Sequence, residues 1–384
     1  MRRHGLVFAA LLLLLSCGKD PAGGERRPVK NYDSTTGIDQ PMQESRIICR
    51  NIDLYKNTAM QGFHLDSDGK TVWYVQNYDQ QLSWVKGWRD ASPEVSKQNK
   101  EYMLLNYFGH GTVTALEEVG SDRYLWVGAY GTPDESTRHW YFNEKVIGRV
   151  KFRPGSQVKT NECDEYYYIG EFTNMHPSID QENDLLTINY QDDSQTNRNR
   201  RCFVVYRLSE AKAAPVRTFP ITCGDAFVTG VAKSRNIIPT TVDCHDLTGL
   251  EPVARFSFPK TGYGAGDDPK FYDWQGFDFH KDRLYYYEGQ SNQSLTGGLY
   301  GGESFVYVTV FDKTGMLIER RTRFALSGDK EAMTALQLSV FGYMEAEGIK
   351  VYGNRLYIGC CTRGRISTDL AFYNNIFEFK ASSR

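Results

Sequence analysis

Five times along the chain a polar residue, a Gly or Pro, and a β-forming run follow one another. The copies are Gln61-Gly62-Phe63-His64-Leu65, His110-Gly111-Thr112-Val113-Thr114, His176-Pro177-Ser178-Ile179-Asp180, Gln275-Gly276-Phe277-Asp278-Phe279 and Glu347-Gly348-Ile349-Lys350-Val351, at intervals of 49, 66, 99 and 72 residues. Each is followed by turn residues that tolerate positive φ, such as Asp66-Ser67-Asp68-Gly69 or Tyr352-Gly353-Asn354. A second strand rises after each turn, over residues 72–75, 124–127, 185–188, 284–287 and 356–358, and a third follows over 82–85, 146–152, 202–208, 305–311 and 376–379. Four copies carry a fourth, over 102–107, 165–169, 253–258 and 317–324.

Five units of four strands with no long amphipathic helix predict an all-β fold, a single propeller of five four-stranded blades. The fifth unit reaches Arg384 without a fourth strand, and residues 46–54, Arg46 to Leu54, are placed to supply it. Pairing that N-terminal strand into the last blade closes the ring and removes its open edges. The 99-residue interval leaves residues 211–250 surplus, as an insertion or a degenerate sixth blade. His176-Pro177 also departs from the Gly pattern there.

The segment ahead of the propeller reads as an export address. Arg2 and Arg3 precede an apolar run from Leu6 to Leu15, too short to span a bilayer permanently, and Leu14-Leu15-Ser16-Cys17 reads as a bacterial lipobox. Residues 1–16 are then a lipoprotein signal peptide, Cys17 the lipidation site, 17–44 a polar tether and 45–384 the propeller. The other reading is an ordinary secretory signal with an incidental Cys. The expected location is the bacterial cell envelope, lipid-anchored, surface-exposed or periplasmic. With 45 basic and 47 acidic side chains the net charge is −2, which speaks against a phosphate-backbone partner such as nucleic acid. Seven cysteines besides Cys17 make an odd, irregularly spaced set in which Cys223 and Cys244 are the one pair suggested, and no CxxC points to zinc.

The phrases Gln61-Gly62-Phe63, Gly109-His110-Gly111-Thr112, Trp274-Gln275-Gly276-Phe277 and Glu347-Gly348-Ile349 resemble a group of bacterial and phage propellers. It contains helveticin J-type bacteriocins, proteins named teichoic acid biosynthesis protein C, and the receptor-binding propeller of certain staphylococcal phages. The resemblance spans roughly residues 45–384 and implies a five-bladed propeller that recognises cell-surface polymers, with no established active site.

In such a blade the loop leading into the first strand shares a face with the loop between strands two and three. Gln61, His110, His176, Gln275 and Glu347 are therefore expected as a polar ring at one channel mouth, with Tyr78, Tyr130, Tyr190, Glu288 and Arg363 at the ends of second strands nearby. These groups suit a hydroxyl-rich ligand, and the 25 Tyr, 21 Phe and 6 Trp suit sugar stacking as well as inter-sheet packing. The bland alternative is a ring that only orders channel water. His110, His176 and Glu347 have the chemistry of metal ligands but come from different blades without ligand spacing, so no metal and no cofactor is expected. Asp66 to Gly69 reads as a hairpin rather than a calcium loop. No GxSxG-type nucleophile motif occurs and no catalytic residue is assigned. Three functions remain: a surface propeller binding a glycan or cell-wall-type polymer; a polysaccharide lyase or glycosidase using paired carboxylates such as Glu288 and Glu347; and an envelope protein-protein scaffold.

Overall fold

The computed structural model describes residues 41–42, 45–52, 55–78, 81–89, 95–133, 143–231, 234–260, 273–290, 304–366 and 371–380. The lipobox and nearly all of the tether lie outside the described residues. The described strands form five sheets arranged as a five-bladed propeller.

Blade one is Met60–Leu65, Thr71–Tyr78, Gln81–Arg89 and Val95–Asn106. Blade two is Ala115–Val119, Asp122–Ala129, Val146–Lys151 and Glu165–Tyr168. Blade three is Thr173–Asp180, Leu185–Gln191, Arg200–Arg207 and Ala254–Pro259. Blade four is Trp274–His280, Arg283–Gln290, Phe305–Asp312 and Leu317–Phe324. Blade five takes Met344–Tyr352, Arg355–Arg363 and Phe372–Lys380 from the C-terminal end and Ser45–Ile52 from the N-terminal end. Ile47 pairs antiparallel with Phe377 and Cys49 with Ile376, so the ring closes as the missing fourth strand requires. Two further strands tie neighbours together. Pro41–Met42 runs parallel along the outer strand of blade four, and Gln157–Lys159 does the same on blade one.

Why these segments form blades follows from burial on both faces. Alternate side chains of one strand enter different inter-blade cores, as Trp73 and Tyr74 do, so the second strands read as nearly continuous apolar runs. Five apolar clusters result, one at each junction. Trp73, Trp84, Leu125 and Val127 join blades one and two. Trp126, Tyr167, Leu186 and Val204 join two and three. Phe203, Phe258, Phe277 and Phe311 join three and four. Val308, Val310, Ile358 and Phe377 join four and five, and Ile48, Ile52, Phe63 and Tyr74 join five and one.

Two sequence expectations are corrected and one open alternative is decided. Residues 110–114 do not form blade two's first strand: pairing begins at Ala115 opposite Trp126. The surplus region is an insertion, not a sixth blade. Its strands Val216–Gly224 and Ile237–Asp246 form a hairpin that extends the sheet of blade two, Asp246 running beside Tyr168. Cys223 and Cys244 are both free thiols. In that hairpin Cys223 faces Ile238 and Cys244 faces Arg217, an offset of six residues. At roughly 3.4 Å per residue this is far beyond disulfide reach.

Candidate functional site

The axis of the ring is closed by a belt of polar side chains, one from each blade: His64, Thr114, Ser178, Asp278 and Lys350. Each lies one to three residues beyond the repeat's Gly or Pro. His64 Nε2 lies 3.0 Å from Thr114 Oγ1, and Lys350 Nζ donates to the Thr114 carbonyl at 3.1 Å. Lys350 is also 3.4 Å from Asp278 Oδ1, which accepts from Ser178 Oγ at 2.6 Å. Asp278 Oδ2 takes the backbone N–H of Val351 at 2.7 Å. Burial, and then the Lys350 ammonium, hold the His64 imidazole well below its ordinary pKa, so it is neutral. Its members are bonded to one another and are none of the five ring residues expected from sequence.

The displaced segment of blade two occupies the axis above the belt. A Cβ on Gly62 of blade one would lie 3.8 Å from the Thr112 carbonyl oxygen, and one on Gly276 of blade four 3.6 Å from the same atom. Contact with two non-adjacent blades requires Thr112 to sit inside the channel. Two cavities lie on opposite faces. The lower one, about 690 Å³, is reached from the hairpins joining first and second strands and has His64, Asp278 and Lys350 among its lining. Three of its carboxylates are already bonded: Asp180 to His280 at 2.9 Å, Asp66 to Arg123 at 3.0 Å, and Glu378 to Arg46 and Arg355.

The upper cavity, about 550 Å³, is built by blade two's leading loop, blade three and the start of blade four. His110, His176, Gln275 and Tyr190 meet there, four of the ten residues singled out from sequence. Their neighbours include Thr112, Asn174, Asn189, Arg200, Arg201, Lys260 and Trp274. Asn77 Nδ2 is 3.0 Å from His110 Nδ1. The His176 ring lies 4.9 Å from that of Trp274, which also has the Arg201 guanidinium at 4.7 Å and Phe277 stacked at 6.4 Å. Burial first, then the charges of Arg201 and His110, push the His176 pKa down to about 3, so it is a neutral imidazole with one donor and one acceptor. Tyr190 packs on Phe172 and accepts at 2.9 Å from Arg255 through its hydroxyl.

Cations gather in this cavity without a carboxylate ion pair among the described residues. Arg200 donates to Ser257 Oγ at 2.7 Å and to its carbonyl at 2.6 Å, and Arg201 to the Tyr286 hydroxyl at 3.1 Å. Burial, and then Arg201, lower the Lys260 pKa. Asp273 is the acidic residue among the lining side chains. These cations are not among the residues singled out from sequence; the signal available for them is Asn197-Arg198-Asn199-Arg200-Arg201, a basic run opening a third strand beside the expected mouth.

The other six residues lie elsewhere. Gln61 is half-buried at a register shift in blade one's first strand, away from the upper cavity's lining. Glu347 is buried, and desolvation followed by the Glu345 charge pushes its carboxyl well above the ordinary range. Glu288 is buried against Arg321 at 3.2 Å. Thus neither carboxylate proposed for lyase or glycosidase chemistry lines the upper cavity. Tyr130 sits at φ 55° and turns into the core between blades one and two, 5.5 Å from Tyr166 and 5.6 Å from Phe227. Tyr78 is exposed with the Lys56 ammonium 5.5 Å from its ring, and the Arg363 guanidinium covers Phe372 at 3.3 Å. No group of three or more His, Cys, Asp or Glu arranged to hold a metal occurs among the described residues.

No family model and no curated protein matches the chain. Among solved structures it is similar to the tail fiber of Staphylococcus aureus phage P68, with a TM-score of 0.53 and 14% identity over 88% of this chain and 53% of that one. The chain therefore spans about half the length of that fibre. A Trichoderma reesei carbohydrate-active enzyme of family AA12 matches with a TM-score of 0.35 at 10% identity, over 88% of this chain and 95% of that one. The WD40 domain of Toxoplasma gondii coronin matches at 0.32 and 6%, over 92% and 90%. With the tail fibre the common ground is the propeller-like fold.

Proposed function

We propose that this protein is a surface-displayed binding propeller that takes a glycan or cell-wall-type polymer at its upper mouth and grips it through an anionic substituent. The observation that carries the reading is the upper cavity itself. It sets Trp274 and Tyr190 beside the amides of Asn174, Asn189 and Gln275, with Arg200, Arg201 and Lys260 bearing charge that no carboxylate there balances residue for residue. An aromatic face suits a pyranose ring, amides and a neutral imidazole suit hydroxyls, and guanidinium groups suit phosphate, carboxylate or sulfate. The fold shared with a phage tail fibre supports a binding role. The Gly-centred phrases support kinship with the helveticin J and teichoic acid biosynthesis protein C group. The Leu14 to Cys17 sequence supports a lipid anchor at the bacterial envelope, and no described helix is long and apolar enough to cross a membrane.

The test is a glycan array probed with the purified full chain, with Arg201→Ala and Trp274→Ala beside it. Binding confined to acidic glycans and lost in both variants is the expected result. Equal binding by wild type and both variants would remove the upper cavity from consideration, and release of shortened chains would promote the lyase or glycosidase reading.

A further inference from the structure

Beneath the upper cavity lies a carboxyl that the binding reading does not use. Glu144 sits at the start of blade two's third strand and is 1% exposed. Its side chain fills space that two glycines leave empty. A Cβ on Gly109 would fall 1.6 Å from Glu144 Oε1, and one on Gly128 2.6 Å from its Cγ. The carboxyl accepts from the backbone N–H of Glu144 itself and of His110, while Oε2 has no hydrogen-bond partner among the described residues. Asn143, just before it, is held by a bond from its N–H to Asn174 Oδ1 at 2.9 Å, so the wedge is fixed to blade three as well.

Among the described residues no counter-charge is bonded to this carboxyl. The axial segment contributes His110, whose imidazole turns to Asn77. Blade three's first strand contributes the Met175 carbonyl beside Gly128, flanked by Asn174 and the neutral His176. Blade two contributes Gly128, Ala129 and Lys145, the last interacting with Asp193. Burial, offset in part by those two backbone N–H bonds, pushes the Glu144 pKa up to about 7.

We propose that Glu144 is a positioning residue for His110 and that its protonation state sets the shape of the upper cavity. Neutral, it leaves one buried oxygen without a partner among the described residues, a smaller cost than an unpaired buried charge. Ionised, it carries a charge whose second oxygen has no donor among the described residues, and the His110 segment is both bonded to it and part of the cavity wall. The cavity therefore changes form as pH crosses neutrality, whatever ligand it takes.

The claim is tested without a ligand, so it stands or falls apart from the binding proposal. In the full chain labelled with 15N-histidine, the His110 amide, assigned through His110→Asn, should shift with an inflection near neutral pH, and Glu144→Gln should abolish that inflection. An inflection retained in Glu144→Gln assigns the titration to the His110 ring and overturns the proposal, as does a flat wild-type profile. Should Glu144→Gln fail to fold, infrared difference spectra of the wild type decide. Loss of a protonated-carboxyl carbonyl band near neutral pH, in step with the His110 shift, supports the proposal, and absence of such a band refutes it.

Discussion

Replacing Lys350 by Met tests whether the five-residue belt, rather than water, holds the axis. The side chain is buried and bonds Asp278 and the Thr114 carbonyl. Met preserves most of its volume, so the loss is chiefly electrostatic. Asp278 would stay buried with Ser178 Oγ and the Val351 N–H but without its cation. Removing one partner of a buried pair costs about 3–5 kcal/mol, because an uncompensated charge remains. For about 340 folded residues the unfolding entropy is roughly 0.7 kcal/mol per kelvin, so the expected fall in Tm is about 4–7 °C. Asp278→Asn should cost a comparable amount, since Asn retains an acceptor for Val351 but strands Lys350. The double variant should cost less than the sum of the singles by about 1–3 kcal/mol, as residues in one network do. Calorimetry and urea unfolding of the four proteins give the cycle. A Tm drop of under about 1 °C for Lys350→Met, or strict additivity, would refute the argument that the belt is a closed network.

Deleting residues 45–52 strips Ile48 and Ile52 from the junction of blades five and one. At roughly 1.5–3 kcal/mol per side chain, plus an exposed sheet edge, the product should aggregate or melt far earlier, whereas deleting 18–40 should leave Tm unchanged. Glu144→Gln should alter stability with a definite sign. A carboxyl raised from 4.5 to about 7 binds more protons folded than unfolded, so wild-type stability falls as pH rises from about 4.5 to 7. The variant should lack that slope and gain up to roughly 3 kcal/mol on wild type at pH 8 relative to pH 4, read from paired urea melts. Cys17→Ala should abolish incorporation of an alkyne fatty acid, and undiminished labelling would end the lipoprotein reading.

The repeat was legible because a propeller uses the same local chemistry five times: a Gly (Pro177 in blade three) where inner strands crowd the axis, a turn, and alternating side chains that enter two cores. The N-terminal closing strand followed from counting strands. Blade two slipped because its pattern, His110 to Thr114, satisfies the repeat yet is drawn into the channel above the wedge of Glu144, and no single-strand periodicity encodes that. The belt was hidden for a related reason. His64, Thr114, Ser178, Asp278 and Lys350 show no common residue type, and only the ring brings a base, two hydroxyls, an acid and a cation together. The upper cavity was half legible. His110, His176, Gln275 and Tyr190 follow from blade geometry, but Arg201 and Trp274 stack across a blade junction, 73 positions apart in sequence. Tyr130 was misplaced by one torsion, since its positive φ turns the end of the second strand inward.

The measurement closest to the central claim is hydrogen–deuterium exchange of the full chain with and without the strongest acidic glycan from the array. The account predicts ligand-induced protection in peptides covering residues 110–112, 174–176, 189–191, 200–201 and 274–275, and unchanged exchange at the lower mouth over 65–69, 180–182 and 350–353. Arg201→Ala should need roughly ten- to 150-fold more ligand for the same protection, the cost of one charged hydrogen bond. Protection at the lower mouth with none above would contradict it.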